Sequence, residues 1–211
     1  MAPALLIIAK EPVPGRVKTR LTPPCTPGQA ATLARAAIED TLAAALATDP
    51  DTRRVLVLDG RPGPWLPPGF DVLPQRGDGL AERLAAAFED AGGPAFLVGM
   101  DTPQVSPALL RAGLDAVAGG DAAFGAALDG GYWGIGLPAA DPRVFDGIPM
   151  SQDDTGAVQR GRLAGLGLRT AMLPPLRDID TIGDARAVAR EAPDGRLAAA
   201  LAAIEPESLA A

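Results

Sequence analysis

Short apolar runs alternate along this chain with alanine-rich stretches whose apolar positions recur at helical spacing, and that alternation limits the fold to the α/β class. Ala4–Ala9 (ALLIIA) is continuous, too short for a helix, and reads as a buried strand. Further strands are predicted at Arg53–Leu58, Asp71–Leu73, Ala95–Gly99 (AFLVG), Ala122–Leu128, Tyr132–Leu137 and Arg169–Leu173. Thr26-Pro27-Gly28-Gln29 has the form of a capping box with proline at the first helical position, opening a helix to about Ala47. Asp78 is placed to cap a helix to about Ala91, and Ser106-Pro107 starts the next. Asp153 or Asp154 caps a helix to about Gly165, and Thr181-Ile182-Gly183-Asp184 opens the C-terminal helices. Strands separated by helices require right-handed crossovers, hence a mainly parallel sheet. Tyr132–Leu137, reached through the tight Asp129-Gly130-Gly131 turn, is the candidate antiparallel addition. A length of 211 residues with 47% hydrophobic residues suits a single three-layer α/β/α domain.

In such sheets ligands sit at the carboxyl ends of the strands. Three polar groups fall there: Lys10–Arg20, Asp101 and Asp178–Asp180. The chain has no histidine, which excludes Ser-His-Asp and Cys-His catalysis and a His-ligated zinc. Cys25 is the single cysteine, so it forms no internal disulfide or thiolate cluster, and without a histidine partner it is expected to be inert. A net charge of −7 gives no general footprint for nucleic acid or an anionic membrane. No apolar run approaches the roughly 18–20 residues of a membrane span. Met1–Ala9 lacks the basic start of a signal peptide, so the expectation is a cytoplasmic protein. Carboxylates, lysine, arginine, backbone amides and an oxygen-ligated metal remain for chemistry.

Both lysines of the chain, Lys10 and Lys18, lie in the loop after the first strand, in a chain that otherwise uses arginine for positive charge, with seventeen in all. With Arg16, Arg20 and the turn residue Gly15 they form a compact cation cluster, stiffened by Pro12 and Pro14, of the kind a polyphosphate needs. The alternative is a solvated loop. The spacing excludes a Walker A loop, because Gly15 lies three residues before Lys18 rather than directly before it. Glu82 fills the third small position after Gly77-Asp78-Gly79, which excludes a dinucleotide fingerprint.

Asp101 follows its apolar strand directly and is either a ligand for a hard divalent cation or the start of an Asx turn before Thr102-Pro103. Asp178 and Asp180 stand two apart and project to one side of an extended segment, with Ile179 opposite. They supply a second metal ligand, or Asp180 and Thr181 only cap the next helix. Asp129 is an acceptor-site carboxylate or part of an ordinary hairpin turn. Tyr132 and Trp133 are core packing or an acceptor wall. Gln75 contacts a base or ribose, or is solvated.

The motifs Ala9-Lys10-x-Pro12-x-Pro14-Gly15-x-Val17-Lys18-Thr19-Arg20-Leu21, Gly99-x-Asp101-Thr102-Pro103, Asp129-Gly130-Gly131-Tyr132 and Arg177-Asp178-x-Asp180-Thr181 together resemble a bacterial family of the nucleotide-diphospho-sugar transferase superfamily. Its members are labelled glycosyltransferases, some in arsenosugar biosynthesis, and the likeness spans about residues 4–190. Lys18-Thr19-Arg20-Leu21 and Asp178-x-Asp180-Thr181 also resemble phospholactate and phosphoenolpyruvate guanylyltransferases. The resemblance implies the glycosyltransferase-A fold, with a nucleotide-binding half at about 1–103, an acceptor half at about 104–190 and a C-terminal helical tail at 191–211. It implies Mg²⁺ or Mn²⁺ on Asp101, with Asp178 or Asp180 as a further ligand, and an acceptor near Asp129, Gly130, Gly131 and Tyr132. The chain departs from the family pattern at Met150-Ser151 and Trp133, both on the acceptor side.

Two reactions suit these residues. In nucleotidyl transfer, a phosphorylated small-molecule acceptor attacks the α-phosphorus of a nucleoside triphosphate and pyrophosphate leaves; an ionised nucleophile needs no base. Lys18 then meets the α-phosphate, while Arg16 and Arg20 hold the β- and γ-phosphates. In glycosyl transfer from a nucleotide sugar, Asp129 is the candidate base. A non-catalytic nucleotide-binding domain is the third possibility. Lys18, Asp101 and Asp129 are the expected catalytic residues, and replacing Lys18 or Asp101 is expected to end turnover with little change in thermal midpoint.

Overall fold

The computed structural model describes residues 2–208. Seven strands, β1 (Ala4–Lys10), β2 (Arg53–Asp59), β3 (Asp71–Pro74), β4 (Ala95–Gly99), β5 (Ala122–Ala127), β6 (Tyr132–Leu137) and β7 (Thr170–Leu176), form one sheet in the order β3-β2-β1-β4-β6-β5-β7. Every pairing is parallel except those of β6, which runs antiparallel to β4 and β5. The turn at Asp129–Gly131 is too short for a crossover, so β6 must reverse direction. As a result β6 begins at the edge where the other six strands end. The loops after β1, β3, β4, β5 and β7 all open there.

The strand pleat assigns alternate residues to two cores. Leu5, Ile7, Phe96 and Val98 face α1 (Pro27–Leu46) and α3 (Pro107–Ala118). Leu6, Val55, Val57, Leu97 and Ile135 face α2 (Leu80–Ala91) and α4 (Thr155–Gly165). Room for the bulky rings comes from glycine. A Cβ on Gly113 would lie 2.5 Å from the Phe96 ring, and one on Gly125 would lie 2.2 Å from the Trp133 indole. Phe96 and Trp133 then meet edge to face at 5.9 Å.

The predicted capping box is present at α1, where Thr26 Oγ1 accepts from Gln29 N at 3.2 Å and Gln29 Oε1 accepts from Thr26 N at 2.8 Å. At α2 the cap differs from the expectation. Gly79 is the N-cap, and the capping oxygen is the Glu82 carboxylate, 2.7 Å from Asp78 N, because a longer side chain in the first turn can reach back to the free amides. Asp154 occupies the N-cap of α4 without a side-chain bond to the backbone. β7 continues past Leu173 through Pro174-Pro175 to Leu176, which an edge strand tolerates because one row of its amides needs no partner.

Beyond the expected three layers, α5 (Ile182–Glu191) and α6 (Arg196–Ser208) stack on the outer side of α1. That helix is apolar on two sides. Ala31, Ala34, Ile38 and Leu42 face the sheet, while Ala30, Leu33 and Ala37 face Ala185, Val188, Leu197 and Leu201. Alanine lets α1 and α6 approach closely while leaving neither a strong amphipathic pattern, so 191–211 reads as a tail in the sequence but α6 packs as part of a layer. Asp40 on α1 fixes it by accepting from Arg196 N and Leu197 N, each at 2.9 Å, at the start of α6. Among the described residues, no helix is long and apolar enough to cross a membrane.

Candidate active site

A cleft of about 780 Å³ opens along the strand ends. The loop after β1 enters it through Val17, which is buried in the core between exposed Arg16 and half-buried Lys18. Lys18 adopts the left-handed conformation, φ 49° and ψ 40°, which turns its side chain back under the loop. Its ammonium lies 2.6 Å from Asp101 Oδ1 and donates to the Ile179 carbonyl; its side chain is only 8% exposed. Ile179 N in turn donates to the Asp101 carbonyl at 3.0 Å. Lys18 thus joins three loops that lie far apart in the chain.

Ile179 is buried against α1, α5 and α6, so Asp178 and Asp180 on either side of it face the cleft. Their environments differ. Asp180 Oδ2 accepts from Arg20 at 2.8 Å near the surface. Asp178 Oδ1 is buried without a hydrogen-bond partner. Burial first, then the charges of Asp101 and Asp129, push the Asp178 carboxyl up to about 7 against the pull of Lys18.

The remaining buried side-chain polar atoms without a hydrogen-bond partner among the described residues are the ion-paired Asp101 Oδ1, Thr102 Oγ1, Gln104 Oε1 and Arg177 Nε. With Asp178 Oδ1, all of them belong to the two loops that Lys18 joins. Such a concentration marks a place built for a polar ligand rather than a solved core. The donor set fits a hard divalent cation: two carboxylates in electrostatic contact, one with a buried unspent oxygen, and no nitrogen or sulfur ligand. Among the described residues no three acidic, cysteine or histidine side chains converge, so a cation held there would need water or phosphate oxygens for the rest of its shell.

Lys10 and Arg16 line the cleft with side chains that have no hydrogen-bond or ion-pair partner among the described residues. Gly15, at φ +77°, turns the loop but lies outside the cleft, beside Thr19 and Thr22. Gln75 lines the cleft, yet its Nε2 donates to the carbonyls of Ala9 and Val57 at 2.7 and 3.1 Å, and its Oε1 accepts from Arg83 at 3.2 Å. It clamps β3 to the neighbouring strands, and both of its donor hydrogens are spent. Arg83, which the sequence reading missed, also lines the cleft, 3.2 Å from Asp59 Oδ2. The available signal was its place one turn into the helix that follows Gly77-Asp78-Gly79.

On the other side, Asp129 is exposed and lines the cleft, with Oδ1 accepting from Gly131 N at 2.9 Å. It makes the turn and lines the cavity. Gly131 and Tyr132 line the cleft, whereas Gly130 does not. Gly130 has φ +92°, and a Cβ there would fall 1.8 Å from the Asp153 carbonyl; its own carbonyl accepts from Gly156 N at 2.8 Å. Its glycine serves packing of the turn on the start of α4. Gly130→Ala is expected to destabilise the fold by about 2–3 kcal/mol through that clash and the positive φ, visible as a lower denaturation midpoint. A midpoint equal to wild type would refute the packing role. Trp133 borders the cleft but is only 2% exposed; its indole packs in the α1–α3 core and its Nε1 donates to the Pro174 carbonyl at 3.0 Å, so the ring serves packing. Tyr132 points to the opposite core, its hydroxyl 3.4 Å from Gln159 Oε1, and burial raises its phenol well above the usual range.

A family model described as an uncharacterized protein conserved in bacteria (DUF2064) matches residues 32–152. A crystal structure from Desulfovibrio desulfuricans G20, provisionally called a nucleotide-diphospho-sugar transferase, is 27% identical and superposes with a TM-score of 0.86 over 98% of this chain and 96% of that one. A nucleotidyl transferase from Methanothermobacter (TM-score 0.59, 16% identity) covers 92% of this chain and 100% of its own. The 2-C-methyl-D-erythritol 4-phosphate cytidylyltransferase of Thermus thermophilus (TM-score 0.54, 19% identity) covers 97% and 100%. These last two show a shared fold. No curated protein matches the sequence.

Proposed function

This chain belongs to the bacterial DUF2064 family and has the fold of the nucleotide-diphospho-sugar transferase superfamily; from that premise we propose that it is a nucleotide-dependent transferase that moves a nucleotidyl group from a nucleoside triphosphate to a small acceptor, releasing pyrophosphate. The observation that carries this reading is the meeting of Lys18 with Asp101 and the Asp178 segment, beside the unpaired cations Lys10 and Arg16. Lys10 and Arg16 bind the outer phosphates, with Arg20 at the rim, while Lys18 offsets charge at the α-phosphate. Asp101 and Asp178 would hold a divalent cation, Mg²⁺ or Mn²⁺, which supplies neutralisation of phosphate oxygens when bound. The Lys18–Asp101 pair keeps that carboxylate in place before any ligand arrives. Phosphoryl chemistry of this kind is mostly positioning and charge compensation, which a chain without histidine can supply.

Glycosyl transfer from a nucleotide sugar is the second reading, favoured by the cleft-facing Asp129 carboxylate and by the name of the Desulfovibrio relative. Incubation of the protein and Mg²⁺ with each nucleoside triphosphate, each common nucleotide sugar and a pool of small acceptors separates the two. Pyrophosphate from a triphosphate is the expected product. Nucleoside diphosphate from a nucleotide sugar would select the second reading, and nucleotide binding without either product would leave a non-catalytic binding domain.

A further inference from the structure

Two carboxylates that line the cleft, Asp129 and Asp153, have no cationic partner among the described residues, and this bears on the acceptor. Resting on the transferase reading above, we infer that the acceptor carries no phosphate: it is a neutral or cationic molecule presenting a hydroxyl or amine to Asp129. On the donor side the unpaired cleft cations are Lys10 and Arg16, against the single carboxylate of Asp78. Between Asp129 and Asp180 in the chain no lysine or arginine lines the cleft among the described residues, while Asp129, Asp153, Asp178 and Asp180 do, the last two beside Lys18 and Arg20 of the first loop. Arg20 answers only Asp180. Even with Asp101 and Asp178 neutralised by Lys18 and a divalent cation, the carboxylates of Asp129 and Asp153 remain without a cationic partner. A phosphate monoester placed there would meet like charge with nothing to pair it, whereas an ammonium or hydroxyl would find acceptors.

Uncharged groups of the same cleft point the same way. The exposed amide of Gln152 and hydroxyl of Ser151 line it beside Asp153. Next to Asp101, the Thr102 hydroxyl, in a residue only 1% exposed on the cleft wall, has no hydrogen-bond partner among the described residues. Uncharged hydrogen-bonding groups flanked by carboxylates suit a polyol, an aminoalcohol or an amine. This choice changes the proton accounting, because a neutral nucleophile must shed a proton. The acceptor oxygen forms a bond to the α-phosphorus, the bond from that phosphorus to the pyrophosphate oxygen breaks with its electron pair leaving on pyrophosphate, and the hydroxyl proton passes to Asp129. Asp129 keeps Oδ2 for that task, since Oδ1 is held by Gly131 N.

Product-shaped probes test the inference without knowledge of the natural acceptor. The base is that of the nucleoside triphosphate bound most tightly in Mg²⁺. Its 5′-monophosphate esters of choline, of glycerol and of glycerol with a terminal phosphate are then titrated into the full chain by calorimetry. The choline and glycerol esters are expected to bind at least tenfold more tightly than the phosphate-bearing one. The double substitution Asp129→Asn, Asp153→Lys is expected to shrink or reverse that gap while triphosphate affinity changes less. Equal or tighter binding of the phosphate-bearing ester by the wild type, or an unaltered gap in the variant, would overturn the inference and leave the transferase reading standing. Failure of every triphosphate to bind would instead refute the transferase reading, and the inference with it.

Discussion

Replacing Lys18 with alanine is expected to lower turnover by at least about 10²-fold, the cost of losing a preorganised charge at a developing phosphate anion. The same substitution is also expected to lower the thermal midpoint, in contrast to the expectation from sequence of a purely functional residue. Lys18 is nearly enclosed, pairs with Asp101 at 2.6 Å and donates to the Ile179 carbonyl, so it offsets a local excess of carboxylates and ties three loops together. Asp101 is 42% exposed, and water therefore softens the loss; about 1–2 kcal/mol is expected rather than the 3–5 of a fully buried pair. Backbone and side chain can be separated. At φ 49° glycine is at ease and alanine is not, so Lys18→Gly should be no less stable than Lys18→Ala yet equally inactive. Recovery of activity in Lys18→Gly, or an unchanged midpoint in Lys18→Ala, would contradict these paired roles.

Asp178→Asn is expected to do the opposite to stability. In the folded protein burial and neighbouring carboxylates keep Asp178 protonated up to about pH 7, whereas in the unfolded chain an aspartate ionises near pH 4. Between those values the folded state holds a proton that the unfolded state has released. Stability from this group is therefore full below about pH 4, falls as pH rises towards 7, and stays low above it. Asparagine removes the ionisation. The variant should match the wild type at pH 4 and exceed it at pH 8 by about 2–4 kcal/mol, or about 4–16 °C in midpoint for a domain of this size. On the proposed function, Mg²⁺ is expected to raise the wild-type midpoint and to leave that of the variant unchanged, and the variant is expected to lose most turnover. Parallel midpoint–pH curves for the two proteins would show that Asp178 is not the strained carboxylate described here.

Both predictions turn on how differently sequence and structure bear on neighbouring residues. The strands were legible because buried parallel strands leave continuous apolar runs such as ALLIIA and AFLVG, and α1 was legible from its Thr26–Gln29 box. The site's edge followed from topology alone, since loops after parallel strands open on one side. Gln75 was less legible: its amide is used up by carbonyls of Ala9 and Val57, partners 66 and 18 residues away. Trp133 and Tyr132 look equivalent in sequence, but the pleat sends one to each core. Gly130 looked like a ligand-facing turn residue until the Asp153 carbonyl was found packed over it.

The amino-acid order by itself determined the α/β class, the antiparallel β6 reached through Asp-Gly-Gly, the gathering of both lysines in one loop, and the shared orientation of Asp178 and Asp180 on an extended segment. These depend on contacts within a few residues, where spacing and side-chain type suffice. Only the tertiary structure decided that Arg20 reaches Asp180 while Asp178 keeps a buried oxygen unspent, and that Lys10 and Arg16 line the cleft without a partner among the described residues. Burial and electrostatic pairing are properties of a place rather than of a residue, and this place is assembled from loops up to about 160 residues apart.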